Sequence, residues 1–310
     1  TMVDSDTAGT YGCTLGGTDA ALFAKSVTDK VCTVTFVSNP NFESPADAGG
    51  NNVYDLTVAF TDGTNALSAQ TTAITITDAN DQTPAATVAA TYSVAENTAT
   101  VGTMSITDTD TVGTLACTVA GTDNSLFTCT VSSGTATLAF ASAPNYDSPA
   151  DDGTNNVYDV TVTFTDGTNE LSAQTTAITV TDLNDQTPAV TVAATYSQAE
   201  AAATTFQAFT MVDSDTTGTY ACTLGGTDAA DFTASVSGKV CTVVFAANPN
   251  YDIPADSDGD NVYDLTVTFT DGTNELSAQT TAITITDVND QTPAVTVAAT
   301  YSQAEAAATT

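Results

Sequence analysis

The chain repeats itself at a spacing of about 105 residues, and this repetition constrains its fold more than any other feature. Cys13 aligns with Cys117 at an offset of 104 and with Cys222 at an offset of 209. Residues 161–205 and 266–310 are the same 45-residue stretch with two changes. Self-similarity at a fixed period indicates an array of copies of one structural unit. The 310 residues therefore predict tandem domains rather than one large core.

Each repeat carries the pattern of short β-strands. Within residues 158–164, the apolar Tyr158, Val160, Val162 and Phe164 alternate with polar residues. Alternation with a period of two predicts a sheet that is packed on one face and solvated on the other. Asp-Gly and similar turn signals separate these runs, and no helical period accompanies them. The pattern predicts an all-β fold of tandem Greek-key β-sandwich repeats.

The repeats divide the chain into three domains and a tail. The predicted domains are, in chain order, 1–84, 85–188 and 189–293, followed by a tail of 294–310. Thr1 aligns with Thr210, so the first domain lacks the strand equivalent to residues 191–209, and residues 296–310 carry that element. Two interpretations stay open. The tail is the first strand of a following repeat in a longer array, or it is a donor strand that completes the first sandwich of another copy.

Charge excludes several classes of partner. The chain has 37 Asp and Glu residues against 3 Lys and Arg residues and no His, which gives a formal net charge of −34. Nucleic-acid binding relies on Lys and Arg at the phosphates, so it is not expected here. Anionic membrane surfaces are disfavoured for the same reason. No run approaches the ~18 apolar residues of a membrane-spanning helix, so membrane insertion is not expected in this segment.

Six cysteines occur, two in each repeat, and three disulfides are expected within the domains: Cys13 with Cys32, Cys117 with Cys129, and Cys222 with Cys241. The second cysteine of the pair occupies different positions in different repeats, since Cys129 aligns with Lys25 and not with Cys32. Residues 25–32 are predicted to form a hairpin that turns near Thr28 and Asp29 and places 25 directly opposite 32, so that either position reaches the same partner. Reduced core cysteines are the alternative, and a zinc site would need more ligands. Disulfides indicate an extracellular location.

Acidic residues recur in register at five positions of the repeat. These are an Asp-x-Asp near the repeat start, an acid after Pro-Asn-aromatic, the Asp of an Asp-Gly turn, an Asp-x-Asn-Asp linker that ends in Pro, and a Glu in the strand after the linker. Their members are Asp4, Asp6, Asp108, Asp110, Asp213 and Asp215; Glu43, Asp147 and Asp252; Asp62, Asp166 and Asp271; Asp78, Asn80, Asp81, Asp182, Asn184, Asp185, Asp287, Asn289 and Asp290; and Glu96, Glu200 and Glu305. Alone, each is typical of a turn or cap. Together they indicate oxygen ligands for Ca²⁺ at domain junctions.

The same elements resemble cadherin repeats, and look most like the cadherin-like repeats of microbial surface proteins. The resemblance covers essentially the whole chain. It rests on the first-strand Ala-Glu, Asp-x-Asp, Asn-Tyr-Asp-Ser-Pro-Ala-Asp, Val-Tyr-Asp-Val-Thr-Val-Thr-Phe-Thr-Asp-Gly and Asp-x-Asn-Asp-x-x-Pro. In that family, the linker, first-strand Glu and mid-domain acid of one repeat join the Asp-x-Asp and Asp-Gly acids of the next to bind Ca²⁺.

The resemblance implies a Ca²⁺ site at each junction. One junction would use Glu43, Asp78, Asn80, Asp81, Asp108, Asp110 and Asp166. The next would use Glu96, Asp147, Asp182, Asn184, Asp185, Asp213, Asp215 and Asp271. Glu200, Asp252, Asp287, Asn289 and Asp290 would await a following repeat. The family often has a second mid-domain acid where this chain has Asn41, Asn145 and Asn250, which reduces the expected number or affinity of ions. No Trp is present, so the strand-swap adhesion of classical vertebrate cadherins is not supported.

The expected function is a structural or adhesive extracellular fibre at the cell surface, in which Ca²⁺ rigidifies tandem repeats that join head to tail. The expected partners are Ca²⁺ and other copies of the chain. Without His, a nucleophile beside a base, or a phosphate-binding loop, the chain is not expected to be an enzyme. One alternative is the stalk of a surface adhesin that binds a carbohydrate or protein through another part of the chain. Another is halophilic solvation, which predicts acids without register.

Overall fold

The computed structural model describes residues 1–5, 9–201, 204–297, 299, 300 and 302. Regular structure in this part of the chain is almost entirely β, with three single-turn 3₁₀ helices at Ala20–Leu22, Asn124–Leu126 and Ala229–Asp231. The predicted all-β fold class is confirmed. Of the described residues, no helix has the length and apolar character needed to cross a membrane.

The first sandwich has a three-stranded and a two-stranded sheet. Its strands are β1 (Gly12–Gly16), β2 (Phe23–Thr28), β3 (Val31–Phe36), β4 (Val53–Thr61) and β5 (Gln70–Thr75). One sheet has the order β1-β4-β5, and the other pairs β2 with β3.

The second sandwich has two four-stranded sheets. Its strands are β6 (Ala85–Ala86), β7 (Thr91–Ala95), β8 (Thr100–Thr107), β9 (Ala116–Ala120), β10 (Phe127–Ser132), β11 (Thr135–Phe140), β12 (Val157–Thr165) and β13 (Gln174–Thr181). The sheet orders are β7-β13-β12-β9 and β10-β11-β8-β6. The β7–β13 pair is parallel and the other pairs are antiparallel.

The third sandwich repeats this arrangement. Its strands are β14 (Thr195–Ala199), β15 (Thr205–Thr210), β16 (Ala221–Gly225), β17 (Phe232–Ser237), β18 (Val240–Phe245), β19 (Val262–Thr270) and β20 (Glu275–Thr286). The sheet orders are β14-β20-β19-β16 and β15-β18-β17, with β14 parallel to β20. In the third sandwich, a single β-bridge between Ala189 and Val212 occupies the position of the β6–β8 pair of the second sandwich.

The strand pattern of the sequence produces the core directly. In β12, Tyr158, Val160, Val162 and Phe164 point inward and are at most 2% exposed, whereas Asp159 between them is exposed. Burying an apolar side chain of this size contributes about 1.5–3 kcal/mol, so the inward row of each long strand fixes its register.

The β2–β3 hairpin turns later than the sequence predicted. Val27, not Lys25, lies opposite Cys32, and Lys25 lies opposite Val34, so the predicted pairing of 25 with 32 is wrong. The cause is a two-residue turn that begins at Asp29, which takes a φ of 53°. Asp tolerates this left-handed conformation, which such turns require. Position 25 is therefore a diagonal neighbour of position 32 on the same face.

Each sandwich has one disulfide, and it joins the two sheets. The bonds are Cys13 in β1 with Cys32 in β3, Cys117 in β9 with Cys129 in β10, and Cys222 in β16 with Cys241 in β18. The three predicted pairs are therefore present.

Among the described residues, two strands of the first sandwich lack a second neighbour that the equivalent strands of the other sandwiches have. There β5 pairs only with β4 and β3 only with β2, whereas β13 and β20 also pair with β7 and β14. The core of the first sandwich is correspondingly less covered. Ile74 in β5 is only partly buried, whereas the equivalent Ile178 and Ile283 are 0% exposed.

The chain forms two compact units, residues 1–181 and 182–310. The first unit contains the first two sandwiches. The repeat boundaries predicted after residues 84, 188 and 293 stay a prediction. Most of the predicted strand at 294–310 lies outside the described residues, as do Asp6 and Glu305, and the described residues of that segment belong to no strand.

Candidate metal centres

In the first unit, predicted acids from separate loops lie together beside the linker of residues 78–84. Glu43, Asp81 and Asp110 each place a carboxylate oxygen within 4.8 Å of the others. A second group of Asp108, Asp110 and Asp166 meets the same criterion. Asp110 belongs to both groups, so the two clusters are adjacent. Strand ends explain this convergence, since the Asp-x-Asp follows β8 and Asp166 follows β12.

Backbone contacts hold the linker against these acids. Thr111 donates its backbone N–H and its hydroxyl to Asp78 Oδ2. The Gln82 N–H donates to Asp110 Oδ2 at 2.8 Å, and the Asp110 N–H donates to Asp108 Oδ1 at 3.2 Å. The linker carboxylate of Asp78 is therefore fixed through Oδ2, whereas its Oδ1 is buried without a hydrogen-bond partner in this part of the chain.

The Asp-Gly turn after β12 supplies a rigid carboxylate. Asp166 Oδ1 accepts the N–H groups of Thr168 and Asn169, both at 2.7 Å. The Asn169 amide also donates to Asn80 Oδ1 at 3.1 Å, which ties the turn to the linker. Burial raises the pKa of Asp166, but these hydrogen bonds outweigh burial and lower its pKa below the ordinary value. The carboxylate is therefore ionised and ready to bind a cation.

Several buried carboxylate oxygens at the predicted sites have no hydrogen-bond partner among the described residues. They include Glu43 Oε1, Asp78 Oδ1, both oxygens of Asp147, and Asp182 Oδ1. A buried polar atom without a partner is costly, and a charged one more so. A cation that binds oxygen would satisfy these atoms, so the donor set fits a hard divalent ion such as Ca²⁺.

Glu43 illustrates the electrostatic conflict within this cluster. A hydrogen bond from its own backbone N–H lowers its pKa, but burial and the nearby Asp78, Asp81 and Asp110 outweigh that bond and raise the pKa. Carboxylates at close range disfavour one another's ionised form. A bound cation would remove this conflict.

The second unit repeats the linker network with equivalent residues. Asp182 Oδ2 accepts the Thr216 N–H at 2.6 Å and also its hydroxyl, and Asp215 Oδ2 accepts the Gln186 N–H at 2.8 Å. The Asp215 N–H donates to Asp213 Oδ1 at 3.2 Å. Two junction sequences thus fold to the same local geometry.

The Asp-Gly turn of the second unit is also equivalent. Asn274 donates to Asn184 Oδ1 at 3.4 Å and to Asp271 Oδ2 at 3.2 Å. Asp271 is 0% exposed, and this burial raises its pKa, but hydrogen bonds from the N–H groups of Asn274 and Thr273 outweigh burial and lower the pKa below its ordinary value. Asp185, the last linker acid, is exposed and accepts a hydrogen bond from Gln186.

The first-strand Glu is placed by parallel pairing. In the first unit the Glu96 N–H donates to Thr181 O at 3.0 Å, and Glu96 Oε2 accepts the Tyr146 N–H at 2.7 Å. The side chain is 0% exposed although it is a carboxylate. Tyr146 adjoins the predicted ligand Asp147, so this contact sets the first-strand Glu beside the mid-domain acid.

In the second unit, Glu200, Asp252 and Asp287 place carboxylate oxygens within 4.8 Å of one another. Hydrogen bonds from the N–H groups of Val288 and Tyr251 lower the pKa of Glu200. Burial, followed by the charges of Glu200 and Asp287, raises the pKa of Asp252. Asn289 and Asp290 are exposed, so they are less enclosed than Asn80, which is partly buried.

Sequence reasoning missed a second set of buried carboxylates with a structural role. Asp123 is 5% exposed and accepts the N–H groups of Asp152 and Asp159 at 2.9 and 2.8 Å. Asp151 is 3% exposed and accepts those of Asn155 and Asn156. Both recur in all three sandwiches, and the in-register Gly-Thr-Asp at residues 17–19, 121–123 and 226–228 signals the first. Because backbone N–H groups donate hydrogen bonds to these carboxylates, the acids stabilise the loops that carry those N–H groups.

No family model matches the sequence, and no curated protein matches it. Among solved structures, the chain is similar to the protocadherin gammaB4 extracellular domain, with a TM-score of 0.62 and 21% identity, covering 92% of this chain and 47% of that chain. It is also similar to the protocadherin gammaB7 EC3-6 cis-dimer structure (TM-score 0.57, 19% identity, covering 92% of this chain and 68% of that chain). Human protocadherin-24 EC1-2 gives a TM-score of 0.53 and 17% identity, covering 67% of this chain and 99% of that chain. The repeats of this chain therefore have the cadherin-like fold.

Proposed function

We propose that this chain is an extracellular structural or adhesive protein, in which Ca²⁺ bound at the junctions of cadherin-like repeats rigidifies a linear array joined head to tail. The observation that carries the proposal is the pair of carboxylate groups that share Asp110, together with the buried oxygens of Glu43 and Asp78 that have no described partner. A cation that binds oxygen would satisfy several of these atoms at once, which supports the proposal.

The ligand chemistry favours Ca²⁺ over other metals. The candidate donors are carboxylates and Asn amides, without His or a free thiol among the described residues. Ca²⁺ takes six to eight oxygen ligands in flexible geometry, which suits acids from several loops. When bound, Ca²⁺ would neutralise the clustered charge. The protein residues position the donors: Thr111 orients Asp78, and Asn169 orients Asn80.

The disulfides support an extracellular location, and the net charge of the chain is compatible with it. Disulfides persist in oxidising, extracellular compartments. A chain with a net charge of −34 also needs counter-ions to bring its acids together. Of the neighbours named above, the protocadherin gammaB4 structure is an extracellular domain and the gammaB7 structure is a cis-dimer. By analogy we assign this chain to the cell surface, with self-association and without enzymatic activity.

Calcium titration of the whole chain by calorimetry tests the proposal. We expect at least two ions per chain, with dissociation constants of about 10⁻⁴–10⁻³ M as in extracellular modules. Asp110→Asn should remove binding at its junction because both groups share Asp110. Asp159→Asn is the matched control, since Asp159 is an exposed strand residue of the same repeat.

Electron microscopy with Ca²⁺ and after EGTA completes the test. Straight rods that become flexible or dissociate on chelation are the expected result. Rods that EGTA leaves unchanged, together with no heat of binding, would contradict the proposal, and the acids would then serve solvation.

A further inference from the structure

We infer that Lys239 and Tyr220 are positioning residues of the metal centre in the second unit: they hold its Asp-x-Asp loop, residues 213–220, in the ligand geometry without Ca²⁺. The equivalent loop of the second sandwich, residues 108–115, lacks both side chains and depends on Ca²⁺ for its order. This inference rests on the proposed function, because it assigns supporting residues to one of the proposed Ca²⁺ centres.

Lys239 ties both acids of the loop through their backbone. Its ammonium donates to Asp213 O at 2.8 Å and to Asp215 O at 3.3 Å. The ammonium also lies 5.2 Å from the centre of the Tyr220 ring, whose face attracts a cation. Lys239 is partly buried, which strengthens these interactions relative to those of an exposed side chain. One side chain thus fixes the backbone that carries two predicted ligands.

Tyr220 holds the first of these acids through its side chain. The Tyr220 hydroxyl donates to Asp213 Oδ2 at 3.1 Å, and the Asp215 N–H donates to Asp213 Oδ1 at 3.2 Å. Both carboxylate oxygens of Asp213 are therefore oriented by donors of the protein. An ionised carboxylate has about four lone-pair sites, so these two bonds leave capacity for a metal ion. The orientation of Asp213 is thus set before a metal binds.

The loop of the second sandwich has the same length and the same two acids without this support. It ends in Leu115, whereas the loop of the third sandwich ends in Tyr220. Gly134 occupies the position of Lys239. A leucine side chain cannot donate a hydrogen bond, and glycine has no side chain. The second sandwich therefore lacks the donors that hold the loop of the third.

The backbone at this position is placed alike in the two sandwiches. Gly134 O accepts the Ile106 N–H at 2.8 Å, and Lys239 O accepts the Met211 N–H at 2.7 Å. The two loops therefore differ in the side chains that support them and not in the strand pairing beneath them.

The second sandwich also has no positive charge of its own. Its sequence, residues 85–188, contains no Lys or Arg. Asp108, Asp110 and Asp166 nevertheless place carboxylate oxygens within 4.8 Å of one another, and ionised carboxylates at this range repel. A cation from solution must therefore do for this loop what the ammonium of Lys239 does for the other.

The first sandwich repeats the arrangement of the third. Lys30 donates to Asp4 O at 2.6 Å and lies 5.0 Å from the centre of the Tyr11 ring. The Tyr11 hydroxyl donates to Asp4 Oδ2 at 3.3 Å. The chain has only 3 Lys and Arg residues, and two of them occupy this one position of the repeat. Tyr and Lys occur together in two repeats and are both replaced in the second, as expected of residues that act as a pair.

Hydrogen exchange of the whole chain, measured in EGTA and in Ca²⁺ by mass spectrometry of peptides, tests the inference. In EGTA we expect the amides of residues 213–216 to exchange more slowly than those of residues 108–111. Ca²⁺ should slow exchange at residues 108–111 and change it little at residues 213–216. Equal exchange of the two loops in EGTA would overturn the inference.

Lys239→Met removes the ammonium and keeps a long side chain. In EGTA it should speed exchange at residues 213–216 on the order of tenfold, because hydrogen bonds from a charged donor are lost. Ca²⁺ should then restore the protection. Exchange in β19, a central strand of the same sandwich, should stay slow, which shows that the sandwich is folded. Lys239→Arg keeps charged donors and should retain most of the protection.

Lys25→Met is the matched control. It makes the same chemical change at the remaining lysine, which donates to Cys13 O in the first sandwich, and should leave residues 213–216 unchanged. Tyr220→Phe removes only the hydroxyl and keeps the ring beside the ammonium. It should speed exchange in EGTA by less than Lys239→Met does.

The outcomes separate this inference from the proposed function. Unchanged exchange at residues 213–216 in Lys239→Met, or an equal effect of Lys25→Met, overturns the inference and leaves Ca²⁺ binding standing. A loss of protection that Ca²⁺ does not restore gives Lys239 a purely structural role and also overturns it. A chain that shows no heat of Ca²⁺ binding overturns the proposed function, whatever the exchange in EGTA.

Discussion

At the scale of single residues, the carboxylate of the Asp-Gly turn accepts the same hydrogen bonds from its own turn in all three repeats. The pKa of Asp62 is lowered to about 2 by hydrogen bonds from the Asn65 side chain and from the N–H groups of Asn65 and Thr64. Asp166 and Asp271 make the equivalent bonds. A folded-state pKa below the unfolded one gives stability that is present above the unfolded value of 3.8 and lost as pH falls towards 2.

Acid unfolding in EGTA should therefore depend on this turn. The melting temperature is expected to fall between about pH 4 and pH 2, because the unfolded chain takes up protons that the folded turn resists. Asp62→Asn should lower stability near neutral pH and reduce the fall across this interval, as measured by circular dichroism. Asp55→Asn, at an exposed strand position, is the control, and an equal change in both variants would contradict the assignment.

The ligand acids were predictable from the sequence because they recur in register, whereas their supports were not. Asn80 stood out in the linker motif, but its partner Asn169 is 89 residues away and is brought to it only by the fold. The buried roles of Asp123 and Asp151 also depend on which backbone amides the loops deliver. The amino-acid composition alone does not distinguish these buried acids from acids on the surface.

At the scale of elements, the β2–β3 hairpin shows how one fold accepts two disulfide positions. Its second-sandwich counterpart carries Cys129 in the first strand, where the first sandwich has Lys25. Lys25 donates to the carbonyl oxygen of Cys13, so this position reaches the same neighbour. The sequence predicted the inward face of Cys32 correctly but placed the turn wrongly, because turn geometry depends on the φ of one residue, Asp29.

Moving the cysteine within the hairpin should preserve the cross-link. Lys25→Cys combined with Cys32→Ala is expected to form a disulfide between positions 13 and 25, with stability within about 1–2 kcal/mol of the parent. The sequence separation falls from 19 residues to 12, but the loop-closure entropy depends on the logarithm of this length and so changes little. Non-reducing peptide mapping and guanidinium unfolding measure both effects. Ser26→Cys with Cys32→Ala is the control, since position 26 faces the other side of the strand, and equal linkage from it would refute the geometry.

At the scale of the whole chain, few positive charges oppose the acids. Lys30 and Lys239 lie over the rings of Tyr11 and Tyr220. Both also donate to backbone carbonyl oxygens, at Asp4 and Asp213 respectively. Cations from solution therefore carry most of the neutralisation that 37 acidic residues require.

Calcium and sodium should stabilise the chain differently if the sites are specific. Charge screening depends on ionic strength alone. Binding at a site instead stabilises the folded chain according to the ratio of the Ca²⁺ concentration to the dissociation constant, by about 2.7 kcal/mol per site when the concentration is a hundredfold above that constant. The melting temperature should therefore rise more with CaCl₂ than with NaCl at equal ionic strength, as measured by calorimetry. Equal rises in the two salts would indicate screening without sites.

The disulfides between sheets also limit how far the chain can be drawn out under tension. A residue in an extended chain spans at most about 3.3–3.6 Å. The bonds enclose sequence separations of 19, 12 and 19 residues, and these loops stay closed when the surrounding strands are pulled apart. About 40–65 Å of contour is thereby withheld from each sandwich. A sandwich that unfolds under force would therefore extend by only part of its contour length. Reduction of the disulfide would allow the enclosed loop to extend as well.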